Sequence, residues 1–245
     1  MKKKICIIGG AVLLVLGIAA GVWQLFFPQL FSYFRIKKEN PVINAHMTDY
    51  PYTNQTVPAD FVSRTVRGIT IKAPEACLNP KESKLVPFKG DALTVAVFIA
   101  EEKGDTFGGE DDPYGLTAAE YQHFFDTVGV KTPETQVENI VFLRDTLTAK
   151  TCLSLRGKDF EVFEALAEDK KTIANVETPY FYHGSNFDGL VCEIKNAKKK
   201  MYNALIEDTA RQHSATVTVI TEDAELARQV IAGLDVTDFL AGKTL

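Results

Sequence analysis

Residues 92–100 read ALTVAVFIA. Nine residues without a charge, rich in β-branched side chains and apolar at successive positions, suit a central strand covered on both faces. Such a strand needs partners and covering layers, and the chain on either side offers them. Upstream, Gly68-Ile69-Thr70-Ile71-Lys72 alternates and stops before Pro74, as a strand with its exit. Downstream, Thr117-Ala118-Ala119-Glu120 forms a capping box, whose hydroxyl and carboxylate satisfy helix-start amides. Tyr121, Phe124, Phe125 and Val128 follow at helical spacing, and Gly129 ends that helix. Thr132-Pro133-Glu134 is expected to open a second helix, with proline at its first position. Residues 147–155 alternate like a strand, with Lys150, Cys152, Ser154 and Arg156 sharing its polar face. Asp159 is expected to cap a helix carrying Phe160, Phe163, Leu166 and Ala167.

The last third reads as strands over 178–183, 187–194 and 215–221, with the turn chemistry of HGSNFDG (183–189) between the first two. Residues 201–208 lean to a strand pairing with 215–221. A final helix from Asp223 carries Leu226, Ala227, Val230, Ile231 and Leu234. The fold class expected is α/β, more closely an α+β sandwich: a mostly antiparallel sheet flanked by helices.

Ahead of this domain lies ICIIGGAVLLVLGIAAGVWQLFF (5–27), with no charged residue. As a helix these residues span roughly 34 Å at the usual rise, enough to cross a bilayer's hydrocarbon core. Ile5, Leu14, Leu16, Trp23 and Phe27 would then face lipid, and the aromatic residues from Trp23 to Phe34 crowd one interface. Ala19-Ala20-Gly21 resembles a signal-peptidase exit, but the apolar run continues for six residues beyond it, which favours an uncleaved anchor. No cysteine follows the run, as a lipoprotein would need. Lys2, Lys3 and Lys4 place the N-terminus in the cytoplasm, outweighing the more distant Arg35, Lys37 and Lys38. The expected organisation is a cytoplasmic basic tail (1–4), a transmembrane helix (5–27), a proline-punctuated stalk (28–58) and an extracytoplasmic α/β domain (59–245) at the cell membrane.

Charge divides at the same boundary. Residues 1–41 hold six basic side chains and one acid, so 21 of the chain's 27 basic and 31 of its 32 acidic residues fall in the remainder, a net charge of −10. A domain so acidic repels nucleic acid, and the run KNAKKK (195–200) reads as a solvated edge or turn. Cys77, Cys152 and Cys192 are an odd number in a compartment that permits disulfides; buried thiols, or one bridge using Cys77, are both open. Asn54-Gln55-Thr56 matches the N-glycosylation pattern.

The early strand Ile69-Thr70-Ile71-Lys72-Ala73-Pro74, and the late strand 215–221 leading into the helix 223–234, resemble in order and texture the Mog1/PsbP-like domains. That resemblance covers roughly residues 68–240 and implies binding or assembly in tethered extracytoplasmic proteins; it supplies no site residues.

Chemistry is sparse. Asp105, Glu110, Asp111 and Asp112 lie on a glycine-rich loop and would offer calcium its oxygen ligands, though not at EF-hand spacing. His46, His123, His183 and His213 form neither HExxH nor HxH. Cys152 beside Lys150 and Arg156 would be a candidate thiolate nucleophile, and Ser185 sits outside any GxSxG elbow. Tyr180 and Tyr182 share one strand face and Phe181 takes the other, so these aromatics either line a binding surface or pack the sheet. No GxGxxG or P-loop is present, and no cofactor is expected. The function expected is a non-enzymatic module binding a protein or peptide, with the bilayer as its second partner through residues 5–27. The alternatives are an extracytoplasmic hydrolase or thiol-dependent enzyme, and a calcium or small-ligand sensor.

Overall fold

Arg67 and Gly68 both have positive φ (48° and 82°), the conformation of a two-residue hairpin turn that matches the twist of its strands. They join β1 (Phe61–Val66) to β2 (Ile69–Pro74) in a two-stranded antiparallel sheet. The structure, a computed structural model, describes Gly17 and residues 29–81, 83, 85–101, 107–109, 111–195, 198–208, 210 and 213–242. The expected transmembrane segment, with Ile5, Leu14, Leu16, Trp23 and Phe27, lies outside them except for Gly17. Among the described residues no helix is long and apolar enough to cross a membrane.

The main sheet has six strands in the order β3 (Phe88–Lys89), β4 (Leu93–Glu101), β8 (His213–Thr221), β7 (Lys200–Asp208), β6 (Asp188–Ile194) and β5 (Glu177–His183). Every pairing is antiparallel. Strands β5 to β8 form a meander, and β4 adds to its last member. Two sheets with helices around them make the α+β arrangement expected from the sequence.

One face of the main sheet is covered by the hairpin and the C-terminal helices, α5 (Ala224–Ala232) and α6 (Thr237–Leu240). Leu93, Val95, Val97, Val217 and Val219 meet Ile69, Ile71, Val230, Ile231 and Leu234 there in one buried cluster. Backbone bonds between Thr70 and Asp235 (2.8 and 2.9 Å) lock the hairpin to the segment before α6. Asp223 starts α5 by accepting the amides of Glu225 and Leu226, which satisfies two of the four unpaired helix-start donors.

The other face is covered by a helical layer: α1 (Leu30–Glu39), α2 (Ala118–Val128), α3 (Gln136–Val141) and α4 (Lys158–Val176). Thr117 and Glu120 form the capping box on α2, and Gly129 ends it at φ 71°, a conformation glycine takes without steric cost. The second helix opens later than expected: Thr135, not Thr132, accepts the Glu138 amide and begins α3. This layer has its own core of Phe124, Phe125, Phe142, Leu143 and Phe163. Residues 147–155 are no strand; Ala149–Ser154 is a 3-10 turn, and its alternation reflects a turn with Ala149, Cys152 and Leu155 buried.

Residues 28–58 were expected as a stalk, and the described part of them is instead packed on the domain. Asn40 donates to the Ala167 carbonyl at 2.6 Å, and Asn44 accepts the Ala149 amide at 3.1 Å. Thr48 and Tyr50 bond the backbone of Phe181 on the outer edge of β5. Ile36, Ile43, Met47 and Tyr50 are buried, in three different clusters. Irregular backbone with prolines reads as a linker, yet widely spaced apolar side chains anchor it one at a time.

Candidate functional site

The helical layer reaches only part of its side of the main sheet. Leu190, Cys192 and Leu205 lie beneath Ile140 and Met47, so β5, β6 and the later part of β7 are covered. Beyond them the register lines up an uncovered patch: Thr94, Ile220 and Met201 in one row, Ala96, Thr218 and Asn203 in the next, then Phe98 and Thr216. Phe98 is 54% exposed, between Val97 and Ile99, which face the opposite core. The expectation that β4 is covered on both faces is therefore corrected. Its buried face carries Leu93, Val95, Val97 and Ile99, and its open face the smaller Thr94, Ala96 and Ala100 around Phe98. That difference in size was the sequence signal for a one-sided strand, masked by the uniform lack of charge. The patch itself carries no charge and is flanked by Lys89 beside Thr94 and by Glu207 in the row of Ala100; a hydrogen bond from the Thr218 hydroxyl to Asn203 (2.9 Å) ties the patch together.

The residues singled out from sequence are placed elsewhere. Asp105 and Glu110 of the acidic loop lie outside the described residues. Asp112 uses one carboxylate oxygen for the amides of Tyr114 and Leu116 (2.9 and 3.0 Å) and the other for the Tyr121 hydroxyl (3.1 Å). It builds a turn onto α2, while Asp111 is exposed. Among the described residues no three His, Cys, Asp or Glu side chains are grouped to hold a metal. Near this turn a shallow cleft of about 300 Å³ is lined by Tyr114, Leu116, Glu161, Glu164 and Ala165. Tyr114 donates there to Asp169 at 2.7 Å, and burial raises the Asp169 carboxyl above its ordinary value.

Cys152 is fully buried, not on an exposed polar face. Burial, with Glu164 adding to it, pushes its thiol up to about 11, the reverse of what a nucleophile needs. Cys77, Cys152 and Cys192 are all free and buried. His123 bonds Asp159 at 2.7 Å, which raises its pKa, and Asp159 also accepts from Thr127 at 3.0 Å. Asp159, expected as a cap, thus ties α2 to the first turn of α4. His183 closes the β5–β6 turn against Asp188 at 3.1 Å. Tyr180 meets the Tyr50 ring edge-on and Tyr182 meets it tilted, with ring centroids 5.6 and 6.0 Å apart, so these strand aromatics hold the strap of residues 40–52. Arg228 lies over the Tyr52 ring at 3.4 Å.

Buried in the helical layer is Lys170, with no exposed surface. Its ammonium donates to the carbonyls of Leu147 (2.7 Å), Ala45 (3.0 Å) and Arg144 (3.4 Å). Three acceptors hold it as a clamp between the strap, the π-helical turn Phe142–Thr146 and α4. No protein-family model, curated protein or solved structure matches the chain.

Proposed function

We propose that the chain is a membrane-anchored extracytoplasmic module that binds a protein or peptide partner through the open half of its main sheet. The observation that carries this reading is Phe98, half exposed at one end of an open patch of uncharged side chains. An exposed aromatic ringed by small and hydroxylated side chains is the composition of an interface core, where aromatics are enriched and charges depleted. With Lys89 and Glu207 only at its two ends, the uncharged middle of the patch favours an apolar protein surface over an anionic or cationic ligand. The resemblance to Mog1/PsbP-like domains, which implies binding or assembly, points the same way. The apolar stretch 5–27 supplies the anchor, and Lys2 to Lys4 keep the N-terminus cytoplasmic with the domain outside.

A photo-crosslinking phenylalanine analogue at position 98 of the full chain, in its native membranes, tests this. A discrete adduct is expected that disappears on adding Thr218→Arg, while the analogue at the exposed Leu240 on α6 gives none. No adduct at 98, or one pattern shared by both positions, overturns the reading.

A further inference from the structure

α1 lies on the helical layer with one side turned outward. Ile36 is buried and Tyr33 packs on the core of that layer, whereas Phe31 and Phe34 are 69% and 60% exposed. Arg35 and Lys38 continue the stripe begun by Phe31 at i+4 and i+7, and Lys37 sits over the Tyr33 ring at 5.5 Å. Arg35 pairs with Glu164 of α4. Gln29 donates to the Leu155 carbonyl at 3.1 Å, holding the start of α1 against the turn Ala149–Ser154. That turn adds Leu153, 41% exposed, and Lys150 and Arg156 are exposed on it and just after it. Three large apolar side chains and five cationic ones thus gather on α1 and its neighbouring turn, in a chain whose remainder is strongly acidic.

Position selects lipid over a protein as the occupant of this face. Phe27 ends the uncharged stretch and Leu30 begins α1; three residues reach at most about 10 Å. A helix held that close to the end of an anchor has the bilayer surface beside it. We propose that α1 lies in the membrane interface, with Phe31 and Phe34 entering the acyl boundary and Lys37, Lys38, Lys150 and Arg156 meeting anionic headgroups. The proposal rests on reading residues 5–27 as the anchor. It replaces a domain lifted off the lipid by a stalk with one seated on it by a defined face. The acidic remainder, repelled by the same headgroups, favours this orientation over others.

The test uses the full chain in nanodiscs of phosphatidylcholine and phosphatidylglycerol, with and without brominated acyl chains that quench indole. Trp23 is the chain's one tryptophan. Trp23→Phe combined with Phe34→Trp reports on α1; Trp23→Phe combined with Leu240→Trp reports on α6, across the main sheet. Bromination is expected to lower emission from position 34 about twofold, as for a side chain at the acyl boundary, and to leave position 240 unchanged. Without phosphatidylglycerol the quenching at position 34 weakens. If position 34 behaves like position 240 while Trp23 of the unaltered chain is quenched, the anchor stands and the seat is wrong. If Trp23 itself is not quenched, the anchor reading fails and the seat with it.

Discussion

A lysine buried without a carboxylate partner is costly, and Lys170 shows how the cost is met. Burial and the neighbouring Arg144 bring its ammonium down to about 8 from 10.5, with Asp145 opposing them. Between those two values the unfolded chain holds the proton more readily than the folded one. The charge therefore weakens the fold below pH 8 by a constant amount, and stability from this group rises as the pH climbs through that window. Lys170→Met removes the charge but leaves the carbonyls of Ala45, Leu147 and Arg144 without their donor. Stability is expected to fall by about 1–3 kcal/mol, and the rise between the two pKa values to vanish; urea unfolding at pH 7 and pH 10 reads both. Nothing in the sequence marked Lys170. It sits one position before Lys171, which is exposed enough to pair with Glu168 at 3.2 Å, and only the packed layer tells the two lysines apart.

At the scale of elements, legibility followed how local the determining chemistry was. Thr117 to Glu120 contains its own reason for a helix start, since donor and acceptor lie within one turn, and α2 begins where that box places it. Thr117→Ala is expected to cost about 1 kcal/mol, measured as a lower urea midpoint with an unchanged slope. The hairpin of β7 and β8 and the helix after Asp223 were legible for the same reason, alternation and caps being short-range signals. The turn Ala149–Ser154 was not. Its apolar residues alternate as a strand's would, and what decides against a strand is a neighbour some hundred residues away, Asn44, which accepts the Ala149 amide. The strap of residues 40–52 failed likewise: its prolines, Pro41 and Pro51, are local and its anchors distant. The candidate site was the least legible feature. An exposed Phe98 and a buried one look alike in a charge-free strand until the extent of the covering layer is known.

Across the whole molecule, one sheet carries a sealed core on one side and on the other a layer that stops short. Adjacent residues of β4 therefore carry opposite roles. Val97→Ala, cutting into the sealed core, is expected to lower stability by about 2–3 kcal/mol. Phe98→Ser, one residue on, is expected to change it by no more than about 0.5 kcal/mol, while reducing binding of hydrophobic dyes. Thermal melts of the two variants side by side check the pair, and equal losses would mean that the patch is not open.

The strap also sets a schedule. Asn40 waits for Ala167, Ala45 for Lys170, and Thr48 and Tyr50 for Phe181, partners more than a hundred residues later in synthesis. Contacts of such span slow folding, because the chain must close long loops before anything rewards it. The strap, made well before its partners, is thus among the last parts to find its place. Until α4 and β5 arrive, Ile36, Ile43 and Tyr50 have nowhere to be buried. The proposed anchor over residues 5–27, once lodged in a bilayer, would keep these side chains at the lipid surface during that wait, shielded from other unfinished chains.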